Sequence, residues 1–381
     1  MVAEAGLSFR ARRAGTEREA PRALPPAGWA DANLDLRGLA ESPAARRAAL
    51  ERRVGGLGFP RVFDRVTIVA AGGGAEQDGQ FLFQATGLLL LDPSLAPRLA
   101  ARLGDPLASA GSDQLVADLL AFAGSPEAQR ALLSALRVPG RERAHHFPLL
   151  VQRLGFVAEP IPEVDALALA LLRGSPIGSA LAVAAQYAVG AVAGKLARAG
   201  EVTRAAALVE ELERRFDAAA SPSEVRHGAV ALANTRLGSV MPRLVLASAH
   251  ADAEVRRAVA DSLAAVPGPA ARRVLLALAL APEADVAAAA LHALREHPLA
   301  AAELEELAGA AARGRVAEGA DAELLALFDE QQPATDALAR AVRAVAARSG
   351  DRPAVHVLIE RLRPHLAPAP APSPLGDPPP P

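Results

Sequence analysis

One phrase recurs along the second half of the chain. Ser-Pro-Ser-Glu-Val-Arg at Ser221–Arg226 returns as Ala-Asp-Ala-Glu-Val-Arg at Ala251–Arg256, and again, weakened, as Pro-Glu-Ala-Asp-Val-Ala at Pro282–Ala287, at spacings of 30 and then 31 residues. Each copy opens an apolar stretch in a similar register: Val225, Ala229 and Leu232; then Val255, Val259 and Leu263; then Val286, Ala290 and Leu294. A fixed period of about 20–50 residues marks a stack of supersecondary units, none of which can bury its apolar face alone.

Composition says what the units are made of. Alanine and leucine dominate, both favourable in helices, and aromatic residues make up only 3%. β-Branched runs are almost confined to Val66–Val69. The expected fold is therefore all-α, an α-α superhelix in which successive helix pairs stack, and an elongated array can use all 381 residues as one body.

Punctuation divides the chain. Ser42-Pro43, Ser125-Pro126, Ser175-Pro176 and Ser221-Pro222 each precede an apolar periodic segment. Serine caps an orphan amide and proline at the first helical position loses no hydrogen bond, so each pair reads as a helix start. Helices are expected at 43–54, 79–91, 93–103, 112–123, 126–136, 144–154, 162–173, 177–197, 202–219, 222–235, 239–249, 252–265, 269–280, 283–296, 299–313, 321–330, 333–348 and 353–365. The regions are a disordered leader (1–30), an N-terminal helical region (31–111), an irregular array of helical pairs (112–220), repeats of about 30 residues (221–313), C-terminal helices (314–366) and a Pro-rich disordered tail (367–381). Arg61–Ala71 followed by Gly72-Gly73-Gly74 reads as a helix–helix connection, because a phosphate loop would carry a lysine instead of Glu76 and Asp78. Gly309, Gly314 and Gly319 mark a slip of the period.

Charge and chemistry narrow the function. Lysine plus arginine number 41 against 43 acids, which leaves no excess field for nucleic acid. Lys195 is the sole lysine; so much arginine, alanine, glycine and proline fits GC-rich coding, and the source is expected to be bacterial. The absence of cysteine excludes disulfides, thiolate metal sites and cysteine nucleophiles. No run of about 18 apolar residues predicts a membrane span, and the leader lacks the apolar core of a secretory signal. The expected location is cytoplasmic, or secreted or periplasmic if the N-terminus is truncated.

His145-His146 are adjacent and His292 and His297 are five apart, so neither pair has the spacing that zinc hydrolases use. All four read as surface or helix-terminal residues, with His297 suited to a helix C-terminus. Glu210, Glu211 and Glu213 with Arg214 and Arg215 read as a solvated helix face. Tyr187 reads as core with its hydroxyl at the rim, and Trp29 as a staple for the leader. No catalytic, cofactor-binding or metal-binding residue is assigned. Arg226, Arg256, Arg257, Arg272 and Arg273 are the candidate interaction residues, a basic ridge formed across successive units.

The phrase at 221–296 resembles HEAT repeats in their short form. In that family an Asp and an Arg around the second helix cross-brace successive units; Asp252 with Arg256 matches, as does Arg226, while Ala287 departs from the pattern. The order of segments over 112–296 is also similar to the helical domain of large lipid-transfer proteins of the vitellogenin and microsomal-transfer type. It rests on Leu150–Phe156, on Tyr187–Lys195 and on Ala231–Arg236, where that family has Ala-Leu-Gly-Asn-Ala-Gly and this chain has Ala233 and Arg236 in place of the glycines. The family's lipid lies between β-sheets, and nothing strand-rich follows residue 296 here.

The expected function is a non-catalytic HEAT-like scaffold that binds a protein partner on the concave face made by one helix of each pair. The alternative is a helical component of a lipid- or lipoprotein-handling system, with a HEAT-like lyase acting on bilin chromophores as a third reading.

Overall fold

Ser42, Ser125 and Ser221 cap helices as their neighbouring prolines foretell: their hydroxyls accept from the amides of Ala45, Ala128 and Glu224. At Ser221 the bond is returned, since Glu224 accepts from the Ser221 amide at 3.1 Å and closes a capping box. The structure, a computed structural model, describes residues 42–70, 79–105, 109–331, 335–348 and 353–362. Trp29, the leader, the Gly72–Gly74 loop and the Pro-rich tail lie outside the described residues. Among the described residues there are nineteen α-helices and no strand.

The chain divides into two units, Met1–Leu244 and Val245–Pro381. The first contains α1 (Pro43–Val54), α2 (Phe59–Ala70), α3 (Gly79–Leu91), α4 (Leu95–Ala100), α5 (Ala110–Ala123), α6 (Pro126–Leu136), α7 (Phe147–Gln152), α8 (Pro162–Gly174), α9 (Ala180–Arg198), α10 (Val202–Asp217) and α11 (Pro222–Asn234). The division falls inside α12 (Met241–Ser248). The second holds α13 (Ala253–Leu263), α14 (Pro269–Leu278), α15 (Ala284–Leu294), α16 (Ala301–Ala312), α17 (Asp321–Gln331), α18 (Thr335–Arg348) and α19 (Pro353–Leu362).

Alternate helices form the layers. In the first unit α1 packs on α3, α3 on α5, and α9 on α11, with α7 and the 3-10 turn Arg153–Phe156 between α5 and α9. On the other layer α4 packs on α6, α6 on α8, and α8 on α10. In the second unit α13, α15, α17 and α19 follow one another in one layer and α16 packs on α18 in the other. Each unit is thus a HEAT-like stack of helix pairs, with leucine, valine and alanine from both layers buried between them. Each leucine fully removed from water contributes about 1.5–3 kcal/mol.

Polar side chains brace one pair to the next. Arg153 donates to Asp118 at 2.7 Å with both side chains almost wholly buried. The Gln129 amide donates to the Glu159 carbonyl and accepts from the Ile161 amide, each at 2.9 Å, so a turn that no helix satisfies is held by a side chain. In the second unit Arg256 reaches Glu283 at 2.8 Å, Arg272 reaches Glu303 at 2.9 Å and Arg340 reaches Glu305.

Three expectations need correction. Phe59–Ala70 is a helix, where a connection is expected: Val62, Val66 and Val69 lie buried along one helical face, so tertiary burial overrides β-branched preference. Ser175-Pro176 does not start a helix. The Ser175 hydroxyl turns back to the Leu171 carbonyl at 2.7 Å, and Ser179 caps α9 by accepting from Ala182 at 3.2 Å. The segment 144–154 contains only the six-residue α7 before passing into the 3-10 turn.

Candidate functional site

Two glycines set the geometry of α9 against α11. A Cβ on Gly190 would lie 2.1 Å from the Ala231 carbonyl oxygen, and one on Gly194 would lie 2.4 Å from that of Thr235. Only glycine lets the two backbones approach this closely. The crossing aligns the preceding turns, and there Tyr187 of α9 meets His227 of α11 with 2.6 Å between the hydroxyl and Nδ1.

Burial decides how the proton sits. It pushes the Tyr187 phenol up to about 12, against the opposing pull of Arg226, so the hydroxyl keeps its proton. Burial, and then the charge of Arg226, holds His227 below its ordinary value and therefore neutral at pH 7. A neutral imidazole with a phenol donating to Nδ1 carries its own proton on Nε2. Tyr187 and His227 are both half-buried, so the pair is in reach of solvent.

Arg226 stands beside this pair, half-buried, with its Nε sealed from solvent and without a hydrogen-bond partner among the described residues. Glu224, the nearest acid in sequence, is occupied by the Ala220 and Ser221 amides. The next repeat treats the matching residue differently: Arg256 donates to Glu283 and to the Ala251 carbonyl, each at 2.8 Å. Asp252 does not pair with Arg256; it caps α13 through the Glu254 and Val255 amides. Arg257 is held by Glu254 at 2.7 Å and approaches Asp261, and Arg272 is held by Glu303 and the Pro298 carbonyl. Arg273 is exposed with no carboxylate among the described residues. Of the five candidate arginines, three therefore sit in ion pairs, and Arg226 and Arg273 do not.

The other singled-out residues are structural. Glu211 is buried, contrary to the solvated face expected of its run, and gathers Arg173, Arg214 and Arg215 around one carboxylate. His146 is mostly buried and pairs with Asp113 at 2.9 Å, while Asp113 also accepts from the Gly104 amide. His297 is buried against the Leu263 carbonyl, whereas His145 and His292 are exposed, His292 pairing with Glu323. No group of three His, Asp or Glu able to hold a metal occurs among the described residues. One described helix, α9, is long and apolar enough to cross a membrane by length and composition, and 67% of that stretch is buried inside the fold. His227 carries no spacing signal; the Gly-x-x-x-Gly of α9 was the available hint that something passes close by.

No protein-family model matches the sequence, and no curated protein matches it. Solved structures resemble its course. A Kap121p mutant is 11% identical with a TM-score of 0.48 over 88% of this chain, and this chain spans 41% of that one. The Escherichia coli protein YibA is 13% identical with a TM-score of 0.40 over 75% of this chain and 97% of its own. Human deoxyhypusine hydroxylase, in complex with glycerol, is 22% identical with a TM-score of 0.29 over 71% of this chain and 99% of its own. No functional residue is carried over from likenesses at this level. The resemblance to large lipid-transfer proteins gains no support. Arg236 does take a left-handed φ of 58° where that phrase has its last glycine, but such a turn serves many helix ends.

Proposed function

We propose that the chain is a HEAT-like repeat scaffold that binds a protein partner, and that the face of α9 and α11 bearing Tyr187, His227 and Arg226 belongs to the contact. One observation carries the reading. Arginines at the joints of the stack are neutralised by carboxylates or carbonyls, whereas Arg226 is half-buried beside a tyrosine–histidine pair with no such partner. Tyrosine and arginine in partly desolvated positions are the residues that anchor protein interfaces most often. Arg256, Arg257 and Arg272 are read as braces, so reversing their charge tests stability first and recognition second.

The test is cross-linking capture from cells expressing the tagged full chain, with cross-linked peptides mapped by mass spectrometry. A reproducible partner cross-linked to α9 or α11, and depleted several-fold by Tyr187→Ala at an unchanged melting temperature, is the expected result. Cross-links confined to other helices, or capture indifferent to Tyr187, would overturn it.

A further inference from the structure

We propose that Arg226, Tyr187 and His227 form a receptor for a carboxylate, so that the segment the scaffold recognises is acidic. The inference rests on the partner-binding reading and adds the chemistry of the partner.

The cluster is built almost wholly of donors. Arg226 presents a guanidinium whose fork matches a carboxylate in two parallel bonds, and no acceptor among the described residues uses it. The His227 Nε2–H follows from the phenol bond to Nδ1 and is a second donor on the residue that follows Arg226. Tyr187 fixes the imidazole ring at a centroid distance of 5.9 Å, which aims that donor before any ligand arrives. One fixed positive charge beside a neutral imidazole complements a single negative charge. A phosphate dianion calls for more positive charge than this, and the cluster holds no second cation. Burial around Nε favours an anion that can shed water, which a side-chain carboxylate on a peptide does more readily than a free multivalent ion.

The repeat provides an internal comparison. At Arg256, the equivalent place in the phrase, a guanidinium of the same kind is closed by Glu283 at 2.8 Å. The same residue type at the equivalent place of the phrase, one residue nearer its helix start, thus takes a carboxylate when one is supplied by the chain. At Arg226 the structure leaves that role to a ligand.

The experiment titrates the full chain with an alternating Glu-Ala peptide, its Gln-Ala counterpart and inorganic phosphate, reading His227 by NMR and affinity by calorimetry. The expected result is saturable binding of the Glu-Ala peptide that shifts the His227 resonance and weakens at least about tenfold in Arg226→Gln, with Arg226→Lys intermediate because it keeps charge without the fork. His227→Gln serves as the second variant should Arg226→Gln not fold, and it too weakens binding. Equal binding of the Gln-Ala peptide, undiminished binding by both variants, or a response to phosphate alone would overturn the inference. Capture that depends on Tyr187 but not on Arg226 removes the carboxylate receptor and leaves the scaffold reading standing. Peptide binding without any captured partner does the reverse.

Discussion

Arg153 and Asp118 are joined at 2.7 Å, with side chains only 3% and 4% exposed, and they tie the 3-10 turn to α5. A buried pair is costly to break from one side because the surviving charge has no water to return to. Arg153→Met and Asp118→Asn should each destabilise the first unit by about 3–5 kcal/mol. Arg153→Met with Asp118→Leu should recover most of that loss, since an apolar pair of similar volume needs no counter-charge. Urea midpoints of the three variants decide it, and equal midpoints for single and double variants would contradict the account.

Gly190→Ala and Gly194→Ala should each cost about 1–3 kcal/mol or more, because the added methyl would meet a backbone carbonyl that cannot rotate aside. Gly174 ends α8 with open space around its would-be Cβ, so Gly174→Ala should leave the midpoint unchanged or raise it slightly. A Gly190→Ala protein with a wild-type midpoint would show that the crossing is looser than described. The same substitution should also dim the Tyr187–His227 contact, seen as a shifted His227 titration by NMR.

The stacked fold was legible because the phrase carries its physics in order: a cap, an acid near the helix start, then apolar residues at helical spacing. α11 and α13 follow it closely, and α15 follows it without a side-chain cap. α2 was not legible as a helix, since Val66-Thr67-Ile68-Val69 states a β preference and only the spacing of Val62, Val66 and Val69 states the helix that burial selects. Glu211 departs from its sequence pattern for a related reason. Its neighbours in sequence are charged, and its burial is set by Arg173 from α8, which approaches through the fold. The site was half legible: Arg226 was visible from the phrase, while the partnership of Tyr187 and His227, forty residues apart, depends on a crossing that only Gly190 and Gly194 permit.

His292 and Glu323 should make the second unit's stability depend on pH in a defined direction. The hydrogen bond that His292 donates to the Glu323 carboxylate lifts it above its ordinary value, against burial and the charge of Arg295, with Asp261 adding a smaller pull upward. A raised folded-state value means that the contribution is fully present below the unfolded value of about 6.5 and is lost as pH rises through the folded one. Because the pair is exposed, the effect is small. The melting temperature of wild type minus that of His292→Gln should therefore be largest below about pH 6.5 and shrink as pH rises through the raised folded-state value. A difference that is flat or grows with pH would sink this assignment.

Lys195, the sole lysine, should behave as a built-in reporter of the joint between α9 and the 3-10 turn. Its ammonium donates to the Gly155 carbonyl at 2.7 Å and the Val157 carbonyl at 2.8 Å, closing carbonyls that the short turn leaves open. An amine tied down by two carbonyls is held away from a reagent, so an amine-directed acylating reagent should modify Lys195 far more slowly in the native protein than in guanidinium. Lys195→Met should lower stability by about 1–3 kcal/mol, the loss attached to leaving buried acceptors unmet. Mass spectrometry of the labelled peptide gives both rates in one experiment. Native labelling as fast as that of the unfolded chain would mean that the two carbonyls do not hold the amine.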